Sequence, residues 1–130
     1  MPRNHDIVAA HYAAGASGDL EGMLAPIEPD TEWVEEAGFP TAGTYVGRQA
    51  VLEGVFGALG ERFDGFGFEL ETIIDGGDTQ VALGNYRGTA RATGKSFDAR
   101  VAHVWHFRDG KLSRFEQFAD SAVVLASLEA

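Results

Sequence analysis

The first half of the chain repeats its apolar residues at helical spacing. Ile7, Val8, His11 and Tyr12 share one face of a predicted first helix, which ends by Gly18. The other elements predicted in this half are a short helix that Asp19 can cap, a strand over Thr31–Glu36, a short extended segment at Thr44–Val46 and a third helix that begins at Arg48.

The second half changes to the alternating pattern of strands. Phe66, Phe68, Leu70 and Ile74 alternate with glycine and glutamate, which predicts the first strand of a meander. The segments that follow are predicted as a turn at Gly76-Gly77-Asp78, a strand from about Thr79 to Ala90, a turn at Thr93-Gly94, a strand over Ser96–Phe107, a turn at Asp109-Gly110, a strand over Lys111–Asp120 and a closing helix over Ala122–Leu128. Helices followed by an antiparallel meander predict an α+β fold.

Two-residue hairpin loops would fix which side chains share a face of the sheet, provided that neither strand bulges. Across Asp109-Gly110, such a loop pairs His103 with Glu116, and across Thr93-Gly94 it pairs His103 with Gly84. A single bulge would exchange the two faces beyond it. One face is therefore predicted to carry Ala82, Gly84, Tyr86, Val101, His103, Trp105, Phe118 and Asp120.

The opposite face of the predicted sheet is also rather apolar. Its residues are Val81, Leu83, Ala102, Val104, His106, Phe115 and Gln117. A sheet that is apolar on both sides needs two covers, and the predicted helices can cover only one face. The sequence therefore predicts a homodimer that is joined through the outer face of the sheet.

Composition and charge narrow the classes of partner. The 130 residues suit one domain over residues 1–130, and 45% of them are hydrophobic, which is enough for a core. The net charge of −10 disfavours nucleic acids and anionic membranes. No signal peptide is visible, and no apolar run approaches the ~20 residues that a membrane span needs. The absence of cysteine excludes disulfides and thiolate metal sites, and it fits a reducing cytoplasm.

Several segments resemble one known family. His11–Glu21 is similar to the helix-to-Gly-Asp opening of SnoaL-like proteins, and Gly43–Val51 is similar to their Gly-Thr-Tyr-x-Gly-Arg segment. Ala102–Leu112 and Phe115–Asp120 look like their last hairpin. The chain thus resembles, over nearly its whole length, the SnoaL-like polyketide cyclases, which share a fold with ketosteroid isomerase and nuclear transport factor two. The resemblance implies a cone-shaped, curved antiparallel or mixed sheet around a long N-terminal helix, with one apolar pocket at the open end.

The same resemblance implies three catalytic candidates, each with an alternative. Glu35 lies where ketosteroid isomerase has its general base, or it is a solvated acid at a strand end. His103 lies where the isomerase has the aspartic acid of its oxyanion hole, or it is a core histidine satisfied by Glu116. Asp120 lies where SnoaL-like cyclases carry an acid/base aspartate, or it caps the last helix.

The pocket wall is expected to be aromatic. The position of the isomerase tyrosine on the first helix falls on His11, with Tyr12 one step away. The residues predicted to bind the substrate are Tyr12, Trp33, Phe56, Tyr86, Trp105 and Phe118.

Two functions remain open at this stage. One is a cofactor-independent enzyme that isomerises, cyclises or dehydrates a small apolar carbonyl compound by proton transfer. The other is a binding or accessory protein with the same pocket and no turnover. We expect neither a metal nor an organic cofactor, because His103 and His106 would face opposite sides of their strand. Convergence of Glu35, His103 and Asp120 on one cavity would favour the enzyme.

Overall fold

The computed structural model describes residues 3–130. Helices begin the chain, and most of the strands come after them. The helices are α1 (Asn4–Ser17), α2 (Leu20–Leu24), α3 (Arg48–Val51), α4 (Ala58–Arg62) and α5 (Ser121–Leu128), with a π-helical segment over Leu52–Gly57 between α3 and α4. The strands are β1 (Glu32–Glu35), β2 (Gly43–Val46), β3 (Phe63–Gly76), β4 (Thr79–Ala90), β5 (Ser96–Arg108) and β6 (Lys111–Ala119). Within the described residues, no helix has the length and apolar character needed to cross a membrane.

The strands form one mixed sheet in the order β2-β1-β6-β5-β4-β3. Neighbouring strands pair antiparallel, except that β1 and β6 run parallel. Helix α1 packs against β3 and β4, and it buries Val8 and Tyr12 there. The predicted α+β fold, a curved mixed sheet with a long N-terminal helix, is confirmed.

The turn between β5 and β6 forms as predicted. Asp109 and Gly110 have φ angles of 52° and 76°, the positive values that a two-residue type I′ hairpin requires at both positions. Phe107 pairs with Leu112 next to the turn, as a two-residue loop dictates.

The register of the same hairpin changes beyond this pair, at a bulge around Ser113. His106 pairs with Arg114, and His103 pairs with Gln117 instead of the predicted glutamate. The Ser113 hydroxyl donates a hydrogen bond to the His106 carbonyl oxygen at 2.9 Å, which fastens the extra residue to β5. The predicted faces of β6 are therefore exchanged beyond the bulge.

The side chains of β6 explain why the bulge forms. In a regular strand, Arg114 and Glu116 would point into the core. With the bulge, Phe115 and Gln117 are buried instead, and Arg114 pairs on the outside with Glu116 and Glu32, each at 2.8 Å. Because burying charged groups costs several kcal/mol each, roughly, the bulge is the favoured arrangement. The prediction that Phe115 and Gln117 lie on the outer face is wrong.

The connection between β4 and β5 is longer than predicted, but the side chains of both strands stay on their predicted faces of the sheet. The loop is Arg91–Gly94, and His103 pairs with Ala82 rather than with Gly84. A shift of two residues leaves every side chain on its original side, because side chains alternate with a period of two. His103 and Ala82 are accordingly both buried on the inner face.

The homodimer predicted from the sequence depends on the apolar residues of the outer face, which do not include Phe115 in the structure. Val81, Leu83 and Val104 are half-buried there. Phe118, predicted to face the pocket, lies on this face because of the bulge, and its side chain is 46% exposed. The prediction of an inward Phe118 is therefore wrong, and this apolar side chain is available to a second copy of the chain.

Phe118→Asp is expected to weaken the homodimer by roughly 30-fold or more, because a buried aromatic anchor at an interface typically contributes at least ~2 kcal/mol. Sedimentation of the wild type and the variant across micromolar concentrations measures the change. Leu125→Asp, which places the same charge on a partly exposed residue of α5, is the control and should sediment like the wild type. A wild-type chain that sediments as a monomer throughout this range would contradict the prediction.

Candidate functional site

A cavity of about 440 Å³ lies between the helices and the inner face of the sheet. Its wall is largely aromatic and aliphatic, and it includes Tyr12, Trp33, Phe56, Phe68, Tyr86 and Phe115. The polar side chains Glu35, His103 and His11 also line it. A cavity of this size and character suits a small organic molecule.

Glu35 is a buried acid in this wall. Strand β1 places it between Gly43 of β2 and Gln117 of β6, and its side chain is 3% exposed. The Trp33 indole N–H donates to Oε2 at 3.1 Å, and the Thr41 hydroxyl donates to Oε1 at 2.8 Å. Burial raises the pKa of Glu35 to about 7, although both hydrogen bonds lower it. Glu35 is therefore not a solvated acid at a strand end.

His103 is held between two tyrosines. The Tyr12 hydroxyl lies 2.6 Å from Nδ1, and the Tyr86 hydroxyl lies 2.6 Å from Nε2. Burial lowers the pKa of His103 well below its ordinary value, so the ring is neutral at pH 7. The expected alternative partner, Glu116, instead pairs with Arg114 on the outer face.

This network, which we call the Tyr–His–Tyr network (Tyr12, His103, Tyr86), has one hydrogen to spare. A neutral imidazole carries one N–H and each tyrosine one O–H, so three hydrogens serve the two internal hydrogen bonds. Within the described residues, neither hydroxyl has a further acceptor. The remaining O–H lies on Tyr12 or on Tyr86, depending on the tautomer of His103, and it is free for an acceptor in the cavity.

Two donors behind the wall orient these hydroxyls. The Trp105 indole N–H donates to the Tyr12 hydroxyl at 3.0 Å, and the Gln117 amide donates to the Tyr86 hydroxyl at 3.2 Å. Trp105 is fully buried and does not line the cavity. Its predicted contact with a substrate is therefore corrected: Trp105 supports Tyr12 from the core.

Asp120 lies outside the cavity, and the prediction that it joins Glu35 and His103 is wrong. The bulge at Ser113 removes it from the inner face, and its side chain is exposed. It is the residue before α5, as the alternative required, but its side chain makes no capping hydrogen bond. The structure thus brings together two of the three predicted catalytic residues.

Three buried polar residues of this region were not predicted as site residues. His11 and Thr41 are buried at or beside the cavity, and Gln117 is buried behind it. The resemblance had already placed His11 at the position of a functional tyrosine, whereas Thr41 follows a loop that carries no recognisable signal. Recognising the bulge at Ser113 in the sequence would have been enough to place Gln117 on the inner face, opposite His103.

The fold and the site define the class of protein. A curved mixed sheet with a long N-terminal helix is the fold of NTF2-like proteins, and in this chain it encloses one largely apolar cavity. Residues 8–115 match the SnoaL-like domain family, and the chain belongs to that family. No curated protein matches the sequence.

Solved structures agree with this assignment. An NTF2-like protein from Burkholderia thailandensis is 47% identical over 100% of both chains, with a TM-score of 0.97. An NTF2-like protein from Burkholderia pseudomallei is 28% identical over 100% of both chains, with a TM-score of 0.89. TerC, co-crystallized with polyporic acid, is 28% identical over 98% of both chains, with a TM-score of 0.87.

Proposed function

We propose that the chain is a cofactor-independent acid/base enzyme that moves a proton on a small, largely apolar carbonyl compound. The observation that carries the proposal is the shared cavity. A buried carboxyl with a pKa raised to about 7 lines the same apolar space as hydroxyl donors with a free hydrogen. Titratable groups with perturbed pKa values in such a cavity mark candidate active sites.

Glu35 acts as the base in this proposal. Its carboxylate takes a proton from the carbon next to the carbonyl group, the C–H electrons move into the new C=C bond, and the carbonyl oxygen becomes an enolate oxygen. The spare O–H of the Tyr–His–Tyr network donates a hydrogen bond to that oxygen. Return of the proton to the same carbon exchanges its hydrogen. In a compound whose enolate is conjugated with a further C=C bond, return of the proton to the far carbon of that bond shifts the double bond and isomerises the compound.

The structure of TerC supports a small organic ligand for this cavity. TerC, at 28% identity over nearly the whole of both chains, was co-crystallized with polyporic acid. We therefore take polyporic acid as the first binding probe, and tetralone and other cyclic ketones as probes of proton transfer.

The second candidate function is binding without turnover. It is favoured by the internal hydrogen bonds of the site: both oxygens of Glu35 and both ring nitrogens of His103 already have protein partners. Apart from the spare O–H, the polar atoms of Glu35 and His103 are held by the protein, as those of a rigid binding wall would be.

Solvent exchange distinguishes the two candidates. The ketone probes are incubated with the protein in D₂O, and loss of the α-proton signal is followed by NMR beside calorimetric titration of the same probes. We expect saturable exchange above the buffer rate. Probes that bind without any exchange above buffer would favour the binding protein.

A further inference from the structure

His11 has an incomplete set of hydrogen bonds. Its side chain is 5% exposed, and its ring packs edge-on against Tyr12 and Trp105, with ring centroids 4.9 and 4.8 Å apart. Its Nδ1 lies 2.8 Å from the Met23 carbonyl oxygen, but within residues 3–130 no group bonds with Nε2. Protein atoms do not fully enclose Nε2, so this nitrogen borders free space.

The Met23 carbonyl fixes the tautomer of His11. A carbonyl oxygen only accepts hydrogen bonds, so Nδ1 must carry the hydrogen. Burial lowers the pKa of His11 to about 4, which keeps the ring neutral at pH 7. Nε2 therefore presents a lone pair and no hydrogen, whereas the tautomer of His103 is not fixed in this way.

The surroundings of His11 relate this lone pair to the candidate site. His11 lines the main cavity together with its neighbours Tyr12 and Trp33, whose ring lies 6.1 Å away between centroids. It also borders a second cavity of about 350 Å³, which is lined by charged residues such as Asp6 and Lys111. The next residue along α1 is Tyr12, whose hydroxyl belongs to the Tyr–His–Tyr network.

We propose that His11 Nε2 accepts a hydrogen bond from a hydroxyl group of the ligand, so the natural ligand is a hydroxylated carbonyl compound. Its carbonyl oxygen meets the spare O–H of the Tyr–His–Tyr network, and its hydroxyl meets His11. The carbonyl half of this assignment rests on the proposed function, and the hydroxyl half rests on His11 alone.

The hydroxyl should contribute to specificity because a buried acceptor without a partner is costly. A ligand that lacks the hydroxyl leaves Nε2 unpaired or dependent on a trapped water. We expect such a ligand to bind about ten- to a hundredfold more weakly than its hydroxylated counterpart.

The experiment compares positional isomers of hydroxytetralone with unsubstituted tetralone, by calorimetric titration, on four proteins. These are the wild type, His11→Leu, His11→Gln and the control His5→Leu, which makes the same change on α1 at a histidine that lines neither cavity. We expect one isomer to bind the wild type and His5→Leu about ten- to a hundredfold more tightly than tetralone. The preference should vanish in His11→Leu and return in part in His11→Gln, whose amide oxygen is an acceptor. Tetralone itself should bind the control His5→Leu as it binds the wild type.

Two results would overturn the inference: no isomer preferred by the wild type, or a preference that His11→Leu leaves intact. The first needs no variant, so it decides the question even if His11→Leu fails to fold. Tyr12→Phe separates this inference from the proposed function. Because the spare O–H lies on Tyr12 or on Tyr86, Tyr86→Phe is measured beside it. Tetralone affinity unchanged by both variants would count against the carbonyl site, while a hydroxyl preference that depends on His11 would still stand.

Discussion

Glu35→Gln is expected to lower kcat/KM for the ketone that the wild type exchanges by roughly 10²–10⁴-fold, the range for a lost general base. An amide cannot take up the substrate proton, yet its oxygen can still accept the Trp33 N–H, so the cavity should persist. The same NMR exchange assay measures the loss. Glu36→Gln is the matched control, because Glu36 bonds to the Ala119 backbone N–H and does not line the cavity. An exchange rate that Glu35→Gln leaves within a few-fold of wild type would remove Glu35 from the mechanism.

The pH dependence of the exchange rate should follow the ionisation of Glu35. Only the ionised carboxylate is a base, so the wild-type rate should rise with pH and level off above a midpoint near the pKa of about 7. Thr41→Val removes a hydrogen bond that stabilises the ionised form, and it should move the midpoint upward. A rate that is flat from about pH 5 to about pH 9 would show that another group takes the proton.

Trp105→Ala is expected to lower the free energy of unfolding by about 3–5 kcal/mol, the usual cost of truncating a buried tryptophan. Trp105 is fully buried, and its ring contacts those of Tyr12, Trp33 and Phe115. The truncation leaves a void in the middle of this cluster. Urea unfolding of the two proteins measures the difference.

Trp105→Phe is the companion to this truncation. It keeps most of the ring volume and loses the N–H that orients Tyr12. We expect it to lower the free energy of unfolding clearly less than the alanine variant does. Its loss in the free energy of tetralone binding should exceed its loss in the free energy of unfolding. Similar unfolding curves for the alanine variant and the wild type would show that the surrounding core closes over the void.

The sequence was sufficient to predict the order of the elements and the inner face of β4 and β5. Alternation alone put His103 and Tyr86 on one side, and an error of two residues in the loop did not matter. The last strand was different, because an error of one residue reverses every side chain. Its signal was present: Leu112 and Phe115 are both apolar but stand three residues apart, which a regular strand cannot bury together.

For the site residues, the sequence could predict the face of the sheet on which each lies, but not the contacts between them. The resemblance pointed to Glu35, which lies two residues after Trp33 on β1 and therefore on the same face, and the structure buries both. The Tyr–His–Tyr network was not predictable, because Tyr12 and His103 lie 91 residues apart and meet only when α1 packs on the sheet. Periodicity gives the side on which a residue lies, whereas a hydrogen bond depends on distances that the packing of separate elements sets.

The parallel pairing of β1 with β6 has a consequence for how the chain folds. Glu35 lies next to Gln117, so the strand with the candidate base joins the sheet beside β6, which lies far along the chain. Contacts between residues so far apart in sequence close a long loop, and they form late and slowly. On a ribosome, the first half of the chain would therefore wait with Trp33 and Glu35 exposed until β6 emerges. We therefore expect the candidate site to be completed only once β6 has joined the sheet beside β1.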